Sequence, residues 1–202
     1  MKLSIIAFDD FTDIDVFFMW DLLNRVKTEN WQVQILGEAS HHTSTSGLVI
    51  PMHGHIEAAN TSDVVLFASG QGTRKKIMDE KFLNTFKLNP EKQLIGSMCS
   101  GALILAALGL LAGKQATTYP TAKKALEDYN VEVVEKPFVV EGNIATAAGC
   151  LAAQYLAGWV IEKCVSLQMK ELVLRSIMPV GEGLSFEDAG QVDQVYSAGQ
   201  PS

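Results

Sequence analysis

Short runs of aliphatic and β-branched residues alternate along this chain with longer segments whose apolar residues recur at helical spacing. Leu3–Phe8, Gln32–Leu36 and Val64–Phe67 have the length of strands, whereas the segment from Ile14 to Val26 has a helical period. Such alternation is typical of a mainly parallel sheet that carries helices on both faces. The sequence therefore predicts an α/β fold, a three-layer sandwich with flavodoxin-like architecture.

The remaining segments add two hairpins and a long helix to this pattern. Thr43–Met52 is interrupted by Ser46-Gly47 and predicts a hairpin-like excursion from the sheet. Residues 138–140 and 144–146 flank a Glu-Gly-Asn turn sequence, which predicts a second hairpin. An apolar helix is expected from about Leu151 to Cys164, and a further helical run continues to Ile177.

Length and composition favour one domain. The chain has 202 residues, of which 48% are hydrophobic and 19% are charged, enough for one well-buried α/β core and too few for two. We place this domain at residues 1–178. Residues 179–202 are rich in glycine, serine and glutamine and are predicted to form a C-terminal tail.

Charge and hydropathy argue against two classes of partner. The net charge of −7 disfavours nucleic acid, whose phosphates are bound by clustered lysine and arginine. The one basic cluster, residues 74–76, is interpreted as the solvated start of a helix. The most apolar segment, Ala102–Ala112, has about half the length that a membrane span requires. We expect no nucleic-acid partner and no membrane partner.

Cysteine usage indicates a reducing compartment. Cys99, Cys150 and Cys164 are odd in number and scattered, so they suggest neither a disulfide framework nor a metal site. The apolar run at the N-terminus is too short for a signal peptide and is followed by two aspartates. We therefore expect a cytoplasmic protein.

A cysteine at a strand-to-helix corner is the strongest functional signal in the chain. The stretch from Leu94 to Leu105 predicts a short strand that runs directly into an apolar helix, with Cys99 at the corner. Glycine, serine and alanine on both sides leave room for a sharp turn, and the first amides of a helix favour a thiolate. The alternative is a small, inert, buried thiol. The local pattern leaves both interpretations open.

The loops after three predicted strands carry polar groups that can act together. Asp15 follows the first strand, Ser69-Gly70 follows Val64–Phe67, and Cys99-Ser100 follows the strand at the corner. In an open parallel sheet these loops meet at one crevice. An aspartate there can share a proton with the thiol and later activate water. Backbone amides of Gly70 and Ser100 can hold developing negative charge.

Residues 99–118, which read CSGALILAALGLLAGKQATT, together with Asp15, resemble the ThiJ/PfpI superfamily. The likeness runs from Leu3 to about Ser166, and it implies the class I glutamine amidotransferase-like fold. Members carry an acidic residue that hydrogen-bonds the cysteine, and Asp15 stands at the matching position. Aspartate rather than glutamate at this position is similar to the isocyanide hydratase branch, whose members are lyases.

That resemblance implies a mechanism without a cofactor or a metal. Cys99 would attack the terminal carbon of an isocyanide, or of a related small electrophile, and water activated by Asp15 would release the product. Gly70, Ser69, Ser100 and Tyr119 are the candidate substrate-binding residues. The resemblance also implies a homodimer that packs through the helix carrying Phe18 and Trp20.

Several positions depart from the family pattern. Phe17-Phe18-Met19 stands where hydratases carry Thr-Gly-Pro, and its bulk is expected to reshape the pocket. Ser69 replaces the first glycine of a Gly-Gly pair, and Ser100 replaces threonine. Other branches place a histidine at the position of Ser100 or Tyr119, so a Cys-His dyad is not expected. The four histidines are interpreted as solvated or structural; they are His41, His42, His53 and His55.

A function of another class stays open at this stage. The same fold can serve as a non-enzymatic sensor whose Cys99 is oxidised to a sulfinate, or whose pocket binds a metabolite. Related domains also sense ligands in AraC-type regulators, but too few residues follow the last predicted helix for the paired helix-turn-helix of such proteins. Structural roles are favoured for Cys150, in close packing, and for Cys164, in the core of a helix. Tyr119 either lines the pocket or packs at a strand end.

Overall fold

The predicted alternation of strands and helices is present in the computed structural model, which describes residues 1–196. The strands are β1 (Lys2–Ile6), β2 (Gln32–Gly37), β3 (His41–Thr43), β4 (Val49–Pro51), β5 (Gly54–His55), β6 (Val64–Phe67), β7 (Leu94–Met98), β8 (Gln115–Ala116), β9 (Glu132–Val133), β10 (Phe138–Glu141) and β11 (Ile144–Ala147). The helices are α1 (Asp13–Asn24), α2 (Thr73–Lys76), α3 (Glu80–Thr85), α4 (Ala102–Ala107), α5 (Lys123–Glu127), α6 (Ala153–Cys164), α7 (Leu167–Arg175) and α8 (Ala189–Tyr196).

Seven strands form the central sheet in the order β10-β11-β7-β6-β1-β2-β5. Its neighbouring strands are parallel, apart from the antiparallel pair β10 and β11 at one edge. Both predicted hairpins are present, as β3–β4 and β10–β11. Because β1, β6 and β7 are adjacent and parallel, the loops that follow them leave the sheet at the same edge.

Side chains of the central strands alternate between two hydrophobic layers. In β6, Val64 and Leu66 pack in one cluster, whereas Val65 and Phe67 pack in the other. The first cluster joins the sheet to α1, α6 and α7, and the second joins it to α3, α4 and α5. The predicted three-layer α/β sandwich is therefore confirmed, and its strands are buried on both faces as parallel strands require.

The helix after the corner is shorter than the sequence suggests. The apolar run after Cys99 extends to Ala112, but α4 ends at Ala107. Gly109 has φ of +75°, a left-handed conformation that ends helices and that glycine adopts at little cost. The apolar residues beyond Ala107, among them Leu111, pack against the second cluster from turns instead.

The segment expected to be a tail contains regular structure. A short 3₁₀ turn at residues 186–188 leads into α8, where Val195 is buried. The Arg25 guanidinium lies 4.5 Å from the centre of the Tyr196 ring and donates to Ser176 Oγ at 2.8 Å. Residues 197–202 lie outside the described residues, and the division after residue 178 stays a prediction.

Two further findings concern the surface of the domain. Within residues 1–196, no helix is both long and apolar enough to cross a membrane. On α1, the Trp20 ring stacks on His53 with centres 5.0 Å apart, and Phe18 packs partly buried against the first cluster. The homodimer expected through this helix stays a prediction.

Candidate active site

Cys99 occupies a sharp corner at the carboxyl end of β7. Its φ is +45°, a left-handed conformation that costs a non-glycine residue on the order of 1–3 kcal/mol. The chain then enters a 3₁₀ turn, Cys99–Gly101, that leads into α4. A Cβ on Gly101 would lie 2.6 Å from the Ala68 carbonyl oxygen, so the packing of this turn on the sheet requires glycine. The backbone at the corner is as strained as the sequence predicts.

Asp15 points into the protein from the first turn of α1 and is fully buried. Asp15 does not cap α1, because the cap residue is Thr12 and no side chain makes a capping hydrogen bond there. Ser69 Oγ instead donates a short hydrogen bond to Asp15 Oδ2. Asp15 Oδ1 has no hydrogen-bond partner among residues 1–196. A buried carboxylate oxygen without a partner is costly and usually marks a functional role.

A second cysteine joins this pair. One carboxylate oxygen of Asp15, Cys99 Sγ and Cys150 Sγ all lie within 4.8 Å of one another. Cys150 begins another 3₁₀ turn, at residues 150–152, directly after Gly149 with its φ of +86°. We expected a closely packed structural thiol at this position, whereas the side chain lines the same cavity as Cys99. Within the described part of the chain, these three residues form the set close enough to hold a metal ion.

Electrostatics around the two thiols keep their protons in place at neutral pH. Burial raises the pKa of Cys99 well above its usual value, the charge of Asp15 raises this pKa further, and a backbone hydrogen bond from Gly149 offsets part of the increase. Burial and Asp15 also raise the pKa of Cys150, to about 11. We expected the helix amides to favour a thiolate at Cys99, but desolvation and the adjacent carboxylate outweigh them. These shifts favour the thiol form of both cysteines at neutral pH.

Gly70 and Ser100 line the same cavity as Cys99 and are hydrogen-bonded to each other. The Gly70 amide donates to Ser100 Oγ at 3.4 Å, and Ser100 Oγ lies 3.1 Å from Thr73 Oγ1. On the other side of the corner, Thr118 Oγ1 donates to the Cys99 carbonyl oxygen at 2.9 Å. The Ser100 hydroxyl thus engages the Gly70 amide, which was expected to hold negative charge.

A cavity of about 290 Å³ connects these groups to solvent. That volume lies at the lower end of small-molecule sites. All six residues singled out from the sequence line it: Asp15, Ser69, Gly70, Cys99, Ser100 and Tyr119. The other lining residues are Thr12, Gln71, Arg74, Thr121 and Cys150.

One expectation about the cavity wall is wrong, and one residue of the wall was not expected. Phe17 and Phe18, expected to reshape the pocket, do not line it but pack partly buried against the first hydrophobic cluster. Arg74 is exposed in the short helix α2, as a solvated helix start requires, and it also lines the cavity and donates to the Thr121 carbonyl oxygen at 3.0 Å. Its neighbour Lys75 is exposed and pairs with Asp10 at 2.8 Å, as that interpretation expects.

The histidines lie outside the cavity, as the sequence suggests. His42 is buried, and its Nε2 accepts hydrogen bonds from the amides of Glu38 and Ala39 at 3.1 and 3.4 Å. His53 Nδ1 accepts from the Ile35 amide at 3.1 Å. These histidines hold loops at the sheet edge, and none of the described cavity residues is a histidine that could form a dyad with Cys99.

Comparison with known proteins assigns this arrangement to a family. A sequence model described as the DJ-1/PfpI family matches residues 1–163, which include the whole cavity. The chain belongs to the DJ-1/PfpI family. An isonitrile hydratase of Pseudomonas putida is 29% identical over 132 residues, which cover 65% of this chain and 58% of that protein. A deglycase of Pyrococcus horikoshii is 26% identical over 147 residues, covering 71% of this chain and 87% of the deglycase.

Solved structures of this DJ-1/PfpI fold agree closely with the sandwich described above. A ThiJ/PfpI family protein from Pseudomonas syringae has a TM-score of 0.79 at 19% identity, with 97% of this chain and 86% of that chain covered. DJ-1beta of Drosophila melanogaster has a TM-score of 0.78 at 20% identity, with 89% and 98% covered. At these identities the likeness shows the fold, and the chemistry must be argued from the cavity.

Replacing Gly70 with alanine is expected to destabilise the whole site. Gly70 has φ of +152°, and a Cβ there would lie 2.6 Å from Phe11 Cα and even closer to the Asp10 carbonyl oxygen. Forced displacement of backbone costs about 1–3 kcal/mol, and for a chain of this length each kcal/mol lowers the Tm by about 2–4 °C, so we expect the Tm to fall by roughly 2–12 °C. Thermal unfolding measures this. Gly190→Ala, where a Cβ meets nothing within 4 Å, is the control and should leave the Tm within about 2 °C.

Proposed function

We propose that this protein is a cofactor-independent hydratase that adds water to a small isocyanide and yields an N-formyl amine. One observation carries the proposal: the Cys99 thiol and a buried, partly unpaired Asp15 carboxylate lie within 4.8 Å of each other in a cavity of about 290 Å³. The likeness to an isonitrile hydratase supports the choice of substrate.

The first step joins the thiol to the substrate. Asp15 accepts the proton of Cys99, and the sulfur forms a bond to the terminal carbon of the isocyanide. The proton passes from Asp15 to that carbon, so that the adduct is a neutral thioimidate. A thiol that is protonated before the substrate binds suits this step, because the adduct contains both the Cys99 sulfur and the proton that the thiol carried.

The second step releases the product by hydrolysis. Asp15 removes a proton from a water molecule, the water oxygen bonds to the thioimidate carbon, and the nitrogen receives a proton. The carbon–sulfur bond then breaks, and the sulfur recovers its proton. Gly70 and Ser100 line the cavity with Cys99, and their backbone N–H groups are the donors that we assign to stabilising developing negative charge. The sum is isocyanide plus water to formamide.

Turnover of a small panel of isocyanides tests this proposal. The reduced protein is incubated with aryl and alkyl isocyanides, and formamide is quantified by NMR against a sample without protein. We expect protein-dependent formation of formamide with at least one member of the panel. Absence of turnover across the panel, with the fold verified by circular dichroism, contradicts the proposal.

Arg74 is expected to favour anionic substrates. Its guanidinium lines a cavity mouth in a protein of net negative charge. For an isocyanide that carries a carboxylate, Arg74→Gln should raise KM about two- to fivefold, the range of a solvent-exposed ion pair. KM for an uncharged isocyanide should stay unchanged. Lys75→Gln removes the same charge one residue away and outside the cavity, and an equal effect from both variants would contradict a specific role for Arg74.

The sensor hypothesis keeps one supporting observation, the second thiol beside Cys99. Oxidation to a sulfinate was the expected chemistry for such a sensor. Because Cys150 lies beside Cys99, a disulfide between the two is favoured over a sulfinate at Cys99.

A further inference from the structure

We propose that Cys150 reacts with Cys99 after Cys99 has been oxidised by a hydroperoxide, and that the two form an intramolecular disulfide. This disulfide would block the active site until it is reduced. The proposal rests on the proposed function in that Cys99 is the reactive thiol of the cavity. Nothing in the family match or in the likeness to a hydratase assigns a role to Cys150.

The sheet brings the two thiols together. β7 and β11 are adjacent and parallel, with Met98 paired to Ala147 at their carboxyl ends. Cys99 follows Met98 directly, and Cys150 stands three residues after Ala147. Each cysteine is the first residue of a 3₁₀ turn that precedes a helix. The cysteines that follow these two neighbouring strands therefore lie close together, with their sulfur atoms within 4.8 Å of each other.

Cys150 also has the freedom to close that distance. A disulfide requires about 2.05 Å between sulfur atoms, so one side chain must move. Cys99 is held rigidly, being 4% exposed in a strained corner, whereas Cys150 is only half-buried. Gly149 precedes Cys150 with φ of +86°, and a Cβ built there would meet nothing within 4 Å. The segment that carries Cys150 is therefore the one with room to shift.

The chemistry balances with a hydroperoxide as the oxidant. Asp15 takes the proton of Cys99, the sulfur bonds to the outer peroxide oxygen, and the oxygen–oxygen bond breaks. The leaving oxygen takes the proton as water or an alcohol, and Cys99 becomes a sulfenic acid. Cys150 sulfur then bonds to Cys99 sulfur, and hydroxide leaves with the Cys150 proton as water. The two thiols supply the two electrons that reduce the peroxide.

The inference is tested by counting free thiols and measuring the mass of the protein by mass spectrometry after peroxide treatment. The reduced protein, with a chelator present, receives hydrogen peroxide in slight excess, is denatured, and is alkylated with N-ethylmaleimide. Wild type should lose two of its three thiols and two hydrogen atoms. A tryptic peptide should link Cys99 to Cys150 within one chain, and dithiothreitol should restore all three thiols. Cys164→Ser, altered on α6 away from the cavity, should form the same link.

The variant without the second thiol gives the opposite product. A sulfinate consumes two equivalents of peroxide, so the variants Cys150→Ser and Cys150→Ala receive several equivalents, and in both of them Cys99 should gain two oxygen atoms that dithiothreitol does not remove. Wild type that gains oxygen at Cys99 while Cys150 remains alkylated would overturn the inference, and so would a link between two chains. These readouts use no isocyanide. A protein without hydratase turnover can still form the disulfide, and an active hydratase can fail to form it.

Discussion

Cys99→Ala is expected to abolish isocyanide hydration, with a rate on the order of 10⁴-fold or more below that of the wild type. The proposed reaction proceeds through a bond to the Cys99 sulfur, and the other groups of the cavity cannot replace it. Alanine keeps the Cβ at the strained corner and leaves the hydrogen bond from Thr118 to the backbone carbonyl unchanged. Formamide production under saturating isocyanide measures the effect.

The matched control for this variant is Cys164→Ala. Cys164 is the last residue of α6, lies outside the cavity, and packs against the first hydrophobic cluster. Its removal should leave kcat within about twofold of the wild type, because no group of the site contacts it. Substantial turnover by a folded Cys99→Ala protein would show that the cysteine is not the nucleophile.

Local patterns in the sequence predicted the sheet and the position of the thiol because each depends on few residues. Val64–Phe67 is apolar throughout, which is what a strand buried on both faces requires. The corner at Cys99 needs small neighbours, and Gly101 shows why, since its Cβ would collide with a backbone oxygen of the neighbouring strand's loop. Steric requirements of this kind can be read from the sequence, because each depends on a single residue and its immediate neighbours.

The features that the sequence did not reveal depend on contacts between distant segments. Cys150 is 51 positions after Cys99, and only the pairing of β7 with β11 places the two sulfur atoms together. The pattern of Gly149-Cys150 at a second strand end was visible, but the order of strands in the sheet was not. Arg74 was hidden in a run of three basic residues, of which one alone reaches the cavity.

The sequence indicates one influence on the pKa of the thiol, the helix amides, whereas the structure adds two influences of opposite sign. A helix N-terminus is readable from the sequence, whereas burial and the approach of Asp15 are tertiary properties. Burial is the largest cause of the raised Cys99 pKa, followed by the carboxylate charge. Ser69 adds a contact that the family pattern does not suggest, because its hydroxyl holds Asp15 Oδ2 and leaves Oδ1 without a partner among the described residues.

Asp15→Asn is expected to have opposite effects on two rates that depend on Cys99, the rate of turnover and the rate of alkylation. Turnover should fall by about 10² to 10⁴-fold, because asparagine cannot carry the proton from the thiol to the substrate or activate water. Alkylation of Cys99 by iodoacetamide at pH 8 should become faster, since removal of the carboxylate charge lowers the pKa of the thiol while burial still keeps it above its usual value. If Asp15 only stabilised the fold, turnover and alkylation would change in the same direction or both stay unchanged.

The control for this experiment is Asp13→Asn on the same turn of α1. Asp13 accepts a hydrogen bond from Ser46 Oγ at 2.8 Å and does not line the cavity. Its replacement removes an equal charge two residues away, and both rates should stay within about twofold of the wild type. If Asp15→Asn lowered turnover and slowed alkylation together while circular dichroism showed an unchanged fold, a protonated Asp15 would be stabilising the thiolate by donating a hydrogen bond, and the proton transfer proposed for it would be wrong.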